Sequence, residues 1–459
     1  MLIRGAEIHG HGTADLRIAG DRIAAIGALE ALENEPVVEA HGNLLLPGLH
    51  DHHIHLAGLA AQRVSVDCGA PDITDQNALR RALDRPGSGW LRATGFHESV
   101  MGGALPDVAT LDALAPDRPL RMQHRTGRMW FLNSAALDIL LATAPPPPGL
   151  ERGAEGFTGR LFDEDGWLQQ ALGALPPDFA PVSAELARQG VTGITDMTPR
   201  NDASIAQHFS QQFACGALRQ HPVLAGSLAL AADEPGTWRC GPAKLHLHEA
   251  ALPDFETTLA FIEAAHAQRR GVAVHCVSEV ELVFALALFE SAGSRFGDRI
   301  EHVSVADPGH VARMADLGLW ACVQPHFIAQ RGDHYLAEVA PHHHPDLYRL
   351  ATLRQAGIAM AGGSDAPYGM TSPWQAMASA VARSASSGVI IGAGEALSPE
   401  QALALYLADP LDFGRKRRIA VGEMADLCLL DRPWRSAREN LAAVSVARTW
   451  LSGTLVHGA

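Results

Sequence analysis

The sequence predicts an α/β protein, a (β/α)8 barrel that carries a small β-sandwich built from both chain ends and a long insertion after the first barrel strand. Three observations lead there. Through the middle of the chain short apolar runs alternate with amphipathic stretches, as in VAVHCV before SEVELVFALALFESAG and RIEHVSV before DPGHVARMADLG. Strands alternating with helices imply a parallel sheet with covered faces. The two chain ends share a different texture of short β-like pieces broken by Gly and Asp. Finally, the apolar runs of the middle end in ionisable side chains, and barrels of this kind gather their reactive groups at the C-terminal strand ends.

The elements follow in order. LIRGAEIHG, DLRIAG, RIAAIG and PVVEA open the chain, and MADLCLLD and VARTWLSGTLVHG close it, so residues 1–45 and 410–459 are assigned to one sandwich. Residues 46–409 are assigned to the barrel. Its strands are read in NLLLPGLHDHH, GITDM, PVLAGSLAL, AKLHLHE, VAVHCV, RIEHVSV, WACVQP and IAMAGGSDAP, about eight, the number that closes the barrel. The stretch 62–180, with GFHESVMGG, RPLRMQHRTGRMWFLNSAAL and GFTGRLFDEDGW, breaks the rhythm and is expected to form a cap that shapes substrate choice. Pro145–Pro148 reads as a stiff connector.

Composition narrows the partners. The 459 residues carry a net charge of −15 with 19% charged and 47% apolar residues, a globular composition. Nucleic-acid binding needs clustered Lys and Arg that the chain lacks. No apolar run is long enough to cross a bilayer and the N-terminus lacks a secretory h-region, so the expectation is a cytoplasmic protein with a small-molecule substrate and no membrane or nucleic-acid partner. A homodimer is the default assembly. The six cysteines include no CxxC pair, which speaks against a disulfide framework or a cysteine zinc site.

The chemistry is carried by the strand ends. His53 and His55 close the first strand, Lys244 lies in the fourth, His275 in the fifth, His302 in the sixth and Asp365 ends the eighth. Residues two apart on a strand point to one face, so His53 and His55 can aim both imidazoles at one ion while His52 points away. Imidazole nitrogen and carboxylate oxygen suit zinc and similar divalent ions. A His-x-His alone occurs by chance, and a lone strand histidine is more often a satisfied core residue. The recurrence of such groups at successive strand ends is what argues for a metal site.

These motifs resemble a known family. LLLPGLHDHHIHL is similar to the PGxxDxHxH opening of the amidohydrolase superfamily, and RIEHVSV, GGSDAP and GEMADLCLLD resemble its later landmarks. DRPLRMQHRTGRMWFLNSAAL, GVTGITDM and LYRLATLRQAGIAMAGGSDAP resemble more narrowly the YtcJ-like branch, also called amidohydrolase family 3. The resemblance implies a (β/α)8 metal-dependent hydrolase with one or two divalent ions, zinc first, with manganese, iron or cobalt as alternatives. It implies that His53, His55 and Asp365 hold one metal, that His275 and His302 hold a second or face the substrate, and that Lys244, carboxylated, bridges the two. An ammonium has no lone pair, so Lys244 can serve only when carboxylated or deprotonated.

The expected reaction is hydrolysis of an amide or related non-peptide C–N bond by a metal-activated water, with Asp365 as general base and acid. The alternative is a mononuclear deaminase of an amino-heterocycle, in which Glu279, four residues beyond His275, would take part. A non-catalytic scaffold ranks last because every expected ligand position is filled. His97, His124, Arg128 and His326 are candidate substrate contacts, with Glu98, Glu249 and Arg349 weaker; His342–His344 reads as a solvated or lid segment. Gly127-Arg128 and Ser278-Glu279 depart from the branch pattern, so the substrate is not carried over from a relative.

Overall fold

A computed structural model describes residues 1–69, 72–87, 89–154, 156–173, 176–230 and 236–458. Among them eight parallel strands form one sheet in chain order: β1 (Leu49–Ile54), β2 (Val191–Asp196), β3 (His221–Gly226), β4 (Arg239–His246), β5 (Val272–Cys276), β6 (Arg299–His302), β7 (Trp320–Val323) and β8 (Met360–Gly362). Most of the strands are short and buried on both faces, the signature of a sheet wrapped by helices.

The sheet nearly closes where β8 meets β1. Asp365 N–H donates to His53 O at 2.6 Å and His55 N–H to Ala366 O at 2.8 Å. Gly363 makes that seam feasible, because a Cβ there would sit 2.5 Å from the His53 backbone nitrogen. The GGSD run is therefore a packing requirement as well as a site marker.

The chain ends meet in a second eight-stranded sheet. Its order runs Thr454–His457, Val446–Leu451, Leu427–Leu430, Leu44–Pro47, Leu2–Ile8, Gly12–Ala19 and Arg22–Gly27, with Val37–Glu39 also pairing to Leu2–Ile8. Ile3, Ile18, Leu45, Leu427, Leu429 and Trp450 build its core. Asp412–Lys416 lies outside this sheet, in a separate two-stranded ladder with Ala408–Asp409. Leu44–Pro47 and β1 are consecutive, so one stretch passes from the terminal sheet into the barrel through Gly48. Only a glycine fits there, since a Cβ would meet the Thr192 side chain at 2.2 Å.

The chain divides into two compact units, Met1–Leu56 with Asp178–Ala459, and Ala57–Pro177. The second has its own six-stranded sheet, ordered Leu150–Gly153, Gly156–Phe162, Met129–Leu132, Leu120–His124, Leu91–Phe96 and Val66–Asp67. It also has its own cores, one around Phe96, Leu111 and Phe131 and one around Trp130, Leu140 and Leu161. No helix among the described residues is long and apolar enough to cross a membrane. No disulfide links the six cysteines among the described residues.

Candidate metal centre

The HxH pair lies where β1 leaves the barrel. His53 Nε2 and His55 Nε2 face the same oxygen, Asp365 Oδ1, at 3.3 and 3.2 Å. The three ligand atoms lie within 4.8 Å of one another. Asp51 ties the two strand ends together: its Oδ1 accepts from Ser364 N at 2.9 Å and His53 N at 3.2 Å. Burial raises the Asp51 carboxyl to about 6 despite these bonds. His50 is spent on Thr195 Oγ1 at 2.9 Å, and His52 packs edge-on against Phe413.

The later ligands continue from this pair as a row of imidazoles. The His53 ring lies 4.9 Å from His302, which lies 4.5 Å from His275. His275 in turn stacks on His246 at 4.2 Å, a pairing set by the β4–β5 register that puts His246 beside His275. Burial drives His302 down to about 3 and His275 well below the usual histidine value, so both rings are neutral. His302 Nδ1 is hydrogen-bonded to Gln324 Oε1 at 2.8 Å, which protonates that nitrogen and leaves the Nε2 lone pair free. His302 Nε2 and Lys244 Nζ are buried and have no hydrogen-bond partner among the described residues.

Two of these residues sit on unusual backbone. His302 has φ +70° and Asp365 φ +52°, in the left-handed region that costs a non-glycine residue about 1–3 kcal/mol. The reason is visible in β6. Alternation puts Arg299 and Glu301 on one face, and His302 would follow on the other; the left-handed turn brings its ring back to His53 and His275.

The charges beneath the ligands are balanced. Glu301 Oε2 accepts from His53 Nδ1 at 2.5 Å while Oε1 accepts from Arg299 Nε at 2.5 Å, all three side chains being buried. Burial opposes the Glu301 anion, but Arg299, His53 and Lys244 outweigh it and hold the carboxyl far below its usual range. Burial likewise lowers His53, yet Glu301 and Asp365 together outweigh it and leave the value raised. Lys244 is lowered, chiefly by burial, which disfavours its ammonium. Asp365 is pushed up by burial but held well below its usual value by His53 and His55. The neutral rings of His275 and His302, the ionised Asp365 and the unpartnered buried nitrogens of His302 and Lys244 fit a divalent cation.

Glu301, Gln324 and Thr198, which shares a hydrogen bond with His55 Nδ1 at 3.2 Å, were not singled out from the sequence. Only Glu301 left a signal, an Arg-x-Glu spacing inside an apolar strand. The remaining candidates have partners of their own. His326 Nε2–H donates to Ser364 O at 2.9 Å and braces the Asp365 loop. His97 and His124 belong to the inserted unit, at 3.6 and 2.9 Å from Glu98 Oε2, and Arg128 pairs there with Asp163. Arg349 binds Asp346, Glu249 N–H donates to Glu281, and Glu279 pairs with His310 and His343.

Comparison with known proteins adds three findings. The sequence profile described as the amidohydrolase family matches residues 36–457. The chain is 25% identical to the N-substituted formamide deformylase of Arthrobacter pascens, covering 95% of this chain and 94% of that one, and 26% identical to YtcJ of Bacillus subtilis, covering 92% and 90%. A solved metal-dependent hydrolase of Pyrococcus horikoshii superposes with a TM-score of 0.78 at 19% identity, over 94% of this chain and 97% of that one.

Proposed function

Because the chain belongs to the amidohydrolase family, in its YtcJ-like branch, we propose that it hydrolyses an amide or related C–N bond of a small molecule, with Asp365 moving the proton. Membership makes it a metal-dependent hydrolase of C–N bonds other than peptide bonds. The observation that carries the finer reading is the approach of His53 Nε2 and His55 Nε2 to one Asp365 oxygen, beside the unpartnered Lys244 Nζ and His302 Nε2.

His53, His55 and Asp365 would hold one ion, and His275 and His302 a second ion or the substrate. Zinc is the first candidate for this donor set, ahead of manganese, iron or cobalt. When bound, the ion supplies Lewis acidity towards the carbonyl and lowers the pKa of a water towards neutrality. Asp365 takes the proton from the attacking water and returns it to the departing amine as the C–N bond breaks. Lys244 has the character that carboxylation needs. Its buried amine disfavours the charge, and attack of the neutral nitrogen on carbon dioxide forms an N–C bond, releases one proton and leaves an anionic carbamate whose oxygens could hold an ion.

Elemental analysis of the purified protein should give about one to two divalent ions attributable to this centre, and His55→Ala should abolish binding at this centre together with turnover. Full turnover by metal-stripped protein would sink the mechanism. Bicarbonate during reconstitution should raise activity, and Lys244→Ala should remove the response; indifference to both would leave Lys244 without a bridging role. The likeness to an N-substituted formamide deformylase directs the first panel to N-substituted formamides, followed by N-acyl amino acids, cyclic amides and amino-heterocycles. Acid release from the amides is the expected result, and ammonia release confined to amino-heterocycles would replace this reading with a deaminase.

A further inference from the structure

We infer that Glu279, Asp307, His310 and His343 form a second binding site for a transition-metal cation, built on the segments that follow β5, β6 and β7 and separate in its ligands from the centre at His53. Glu279 is the first residue of the helix Glu279–Ala292, Asp307 caps the helix Pro308–Asp316, His310 stands in that helix's first turn, and His343 lies in the turn Pro341–Asp346. Two segments thus bring Glu279, Asp307 and His310 together, and His343, from a third, approaches the other oxygen of Glu279.

The spacing is that of ligands around an ion. His310 Nδ1 lies 3.3 Å from Asp307 Oδ1 and 3.8 Å from Glu279 Oε1, and His343 Nε2 lies 3.5 Å from Glu279 Oε2. The donor atoms of Glu279, Asp307 and His310 lie within 4.8 Å of one another. Tetrahedral ligands at zinc–nitrogen and zinc–oxygen bond lengths stand about 3.3–3.6 Å apart. His310 Nδ1 is buried and makes no hydrogen bond to either carboxylate, an unpartnered nitrogen aimed at two anionic oxygens.

The surroundings orient the ligands as metal sites require. Asp307 Oδ1 accepts from His310 N at 2.8 Å, which fixes the carboxylate on its helix. His343 Nδ1 is bonded to Asp346 Oδ2 at 3.4 Å, and Asp346 is held by Arg349 Nη2 at 2.8 Å. That carboxylate on the far nitrogen turns Nε2 towards Glu279, the arrangement that raises ligand basicity. Mixed imidazole and carboxylate donors select zinc or manganese over magnesium or calcium, which prefer oxygen alone. Bound there, the cation would pin the His342–His344 segment to the helix that follows the His275 strand.

The test uses the full-length protein and zinc alone, with His55→Ala as background so that the first centre is disabled. His343→Ala and Glu279→Gln are each added to it, and circular dichroism checks the fold. His55→Ala is expected to retain about one zinc ion per chain after gel filtration, and to show a zinc-induced rise in Tm. Adding either substitution should remove that ion or weaken zinc at least about tenfold, and should abolish the Tm response. Equal zinc content and equal Tm response in His55→Ala with and without the added substitutions would overturn the site, whatever the wild-type enzyme does with its substrate.

Discussion

Glu301 is where a single side chain does most to prepare the proposed metal centre. Placed between His53 Nδ1 and Arg299 Nε, each at 2.5 Å, it fixes the His53 tautomer so that Nε2 is left to face Asp365. Glu301→Gln keeps the shape but weakens the acceptor and leaves the buried Arg299 short of its counter-charge. Metal affinity measured by competition with a chelator should fall about 10–100-fold, and unfolding in denaturant should show a loss of about 3–5 kcal/mol, the cost of breaking a buried pair. Unchanged metal affinity in a folded Glu301→Gln protein would reduce Glu301 to a core ion pair. At this scale the HxH pair, Lys244, His275, His302 and Asp365 were legible because ionisable groups recur at apolar strand ends. Glu301 was not, because one carboxylate beside a candidate ligand looks the same whether it faces a histidine or solvent.

Among the elements, the helix Glu279–Ala292 shows how strand ends are held. Ser278 Oγ accepts from Glu281 N at 3.3 Å and Glu281 Oε2 accepts from Ser278 N at 3.2 Å, a capping box directly after β5. Glu281 also accepts from Val277 N at 2.7 Å and, through Oε1, from Glu249 N at 2.9 Å, so one buried carboxylate joins the loops after β4 and β5. Ser278→Ala should cost about 1 kcal/mol, read as a lower denaturation midpoint at unchanged m-value. An unaltered midpoint would show that tertiary packing alone sets the helix start. The Ser-Glu-Val-Glu run spells this cap in sequence, whereas the second role of Glu281 depends on the β4 loop reaching it.

For the whole molecule, the junction between terminal sheet and barrel carries a pH dependence. Asp426, 8% exposed, accepts from Ser452 N at 2.8 Å, approaches His221 Nε2 of β3 at 3.3 Å and lies 3.6 Å from Arg417 Nη2. Burial raises its carboxyl, but His221 and Arg417 outweigh that and leave it lowered in the folded state. A depressed folded value means that the stabilisation is complete above the unfolded value of about 3.9 and is lost as pH falls through the folded value. Asp426→Asn should therefore lower stability at neutral pH by about 1–3 kcal/mol and flatten the acid limb of a plot of Tm against pH. An acid limb as steep as that of the wild type would place the sensitivity elsewhere.

By itself the sequence determined the period of each segment and hence the barrel, the joining of the two chain ends and the register of His53 with His55, because period-two and helical patterns are local consequences of burying one face. The tertiary structure decided what those side chains meet. Closure of β8 onto β1 brought Asp365 to the HxH pair, a left-handed backbone turned His302 back into the row of imidazoles, and Glu279 came to lie against His310 and His343. Each of these joins residues far apart in the chain, and such contacts are selected by packing and charge compensation across strands, which no local pattern encodes.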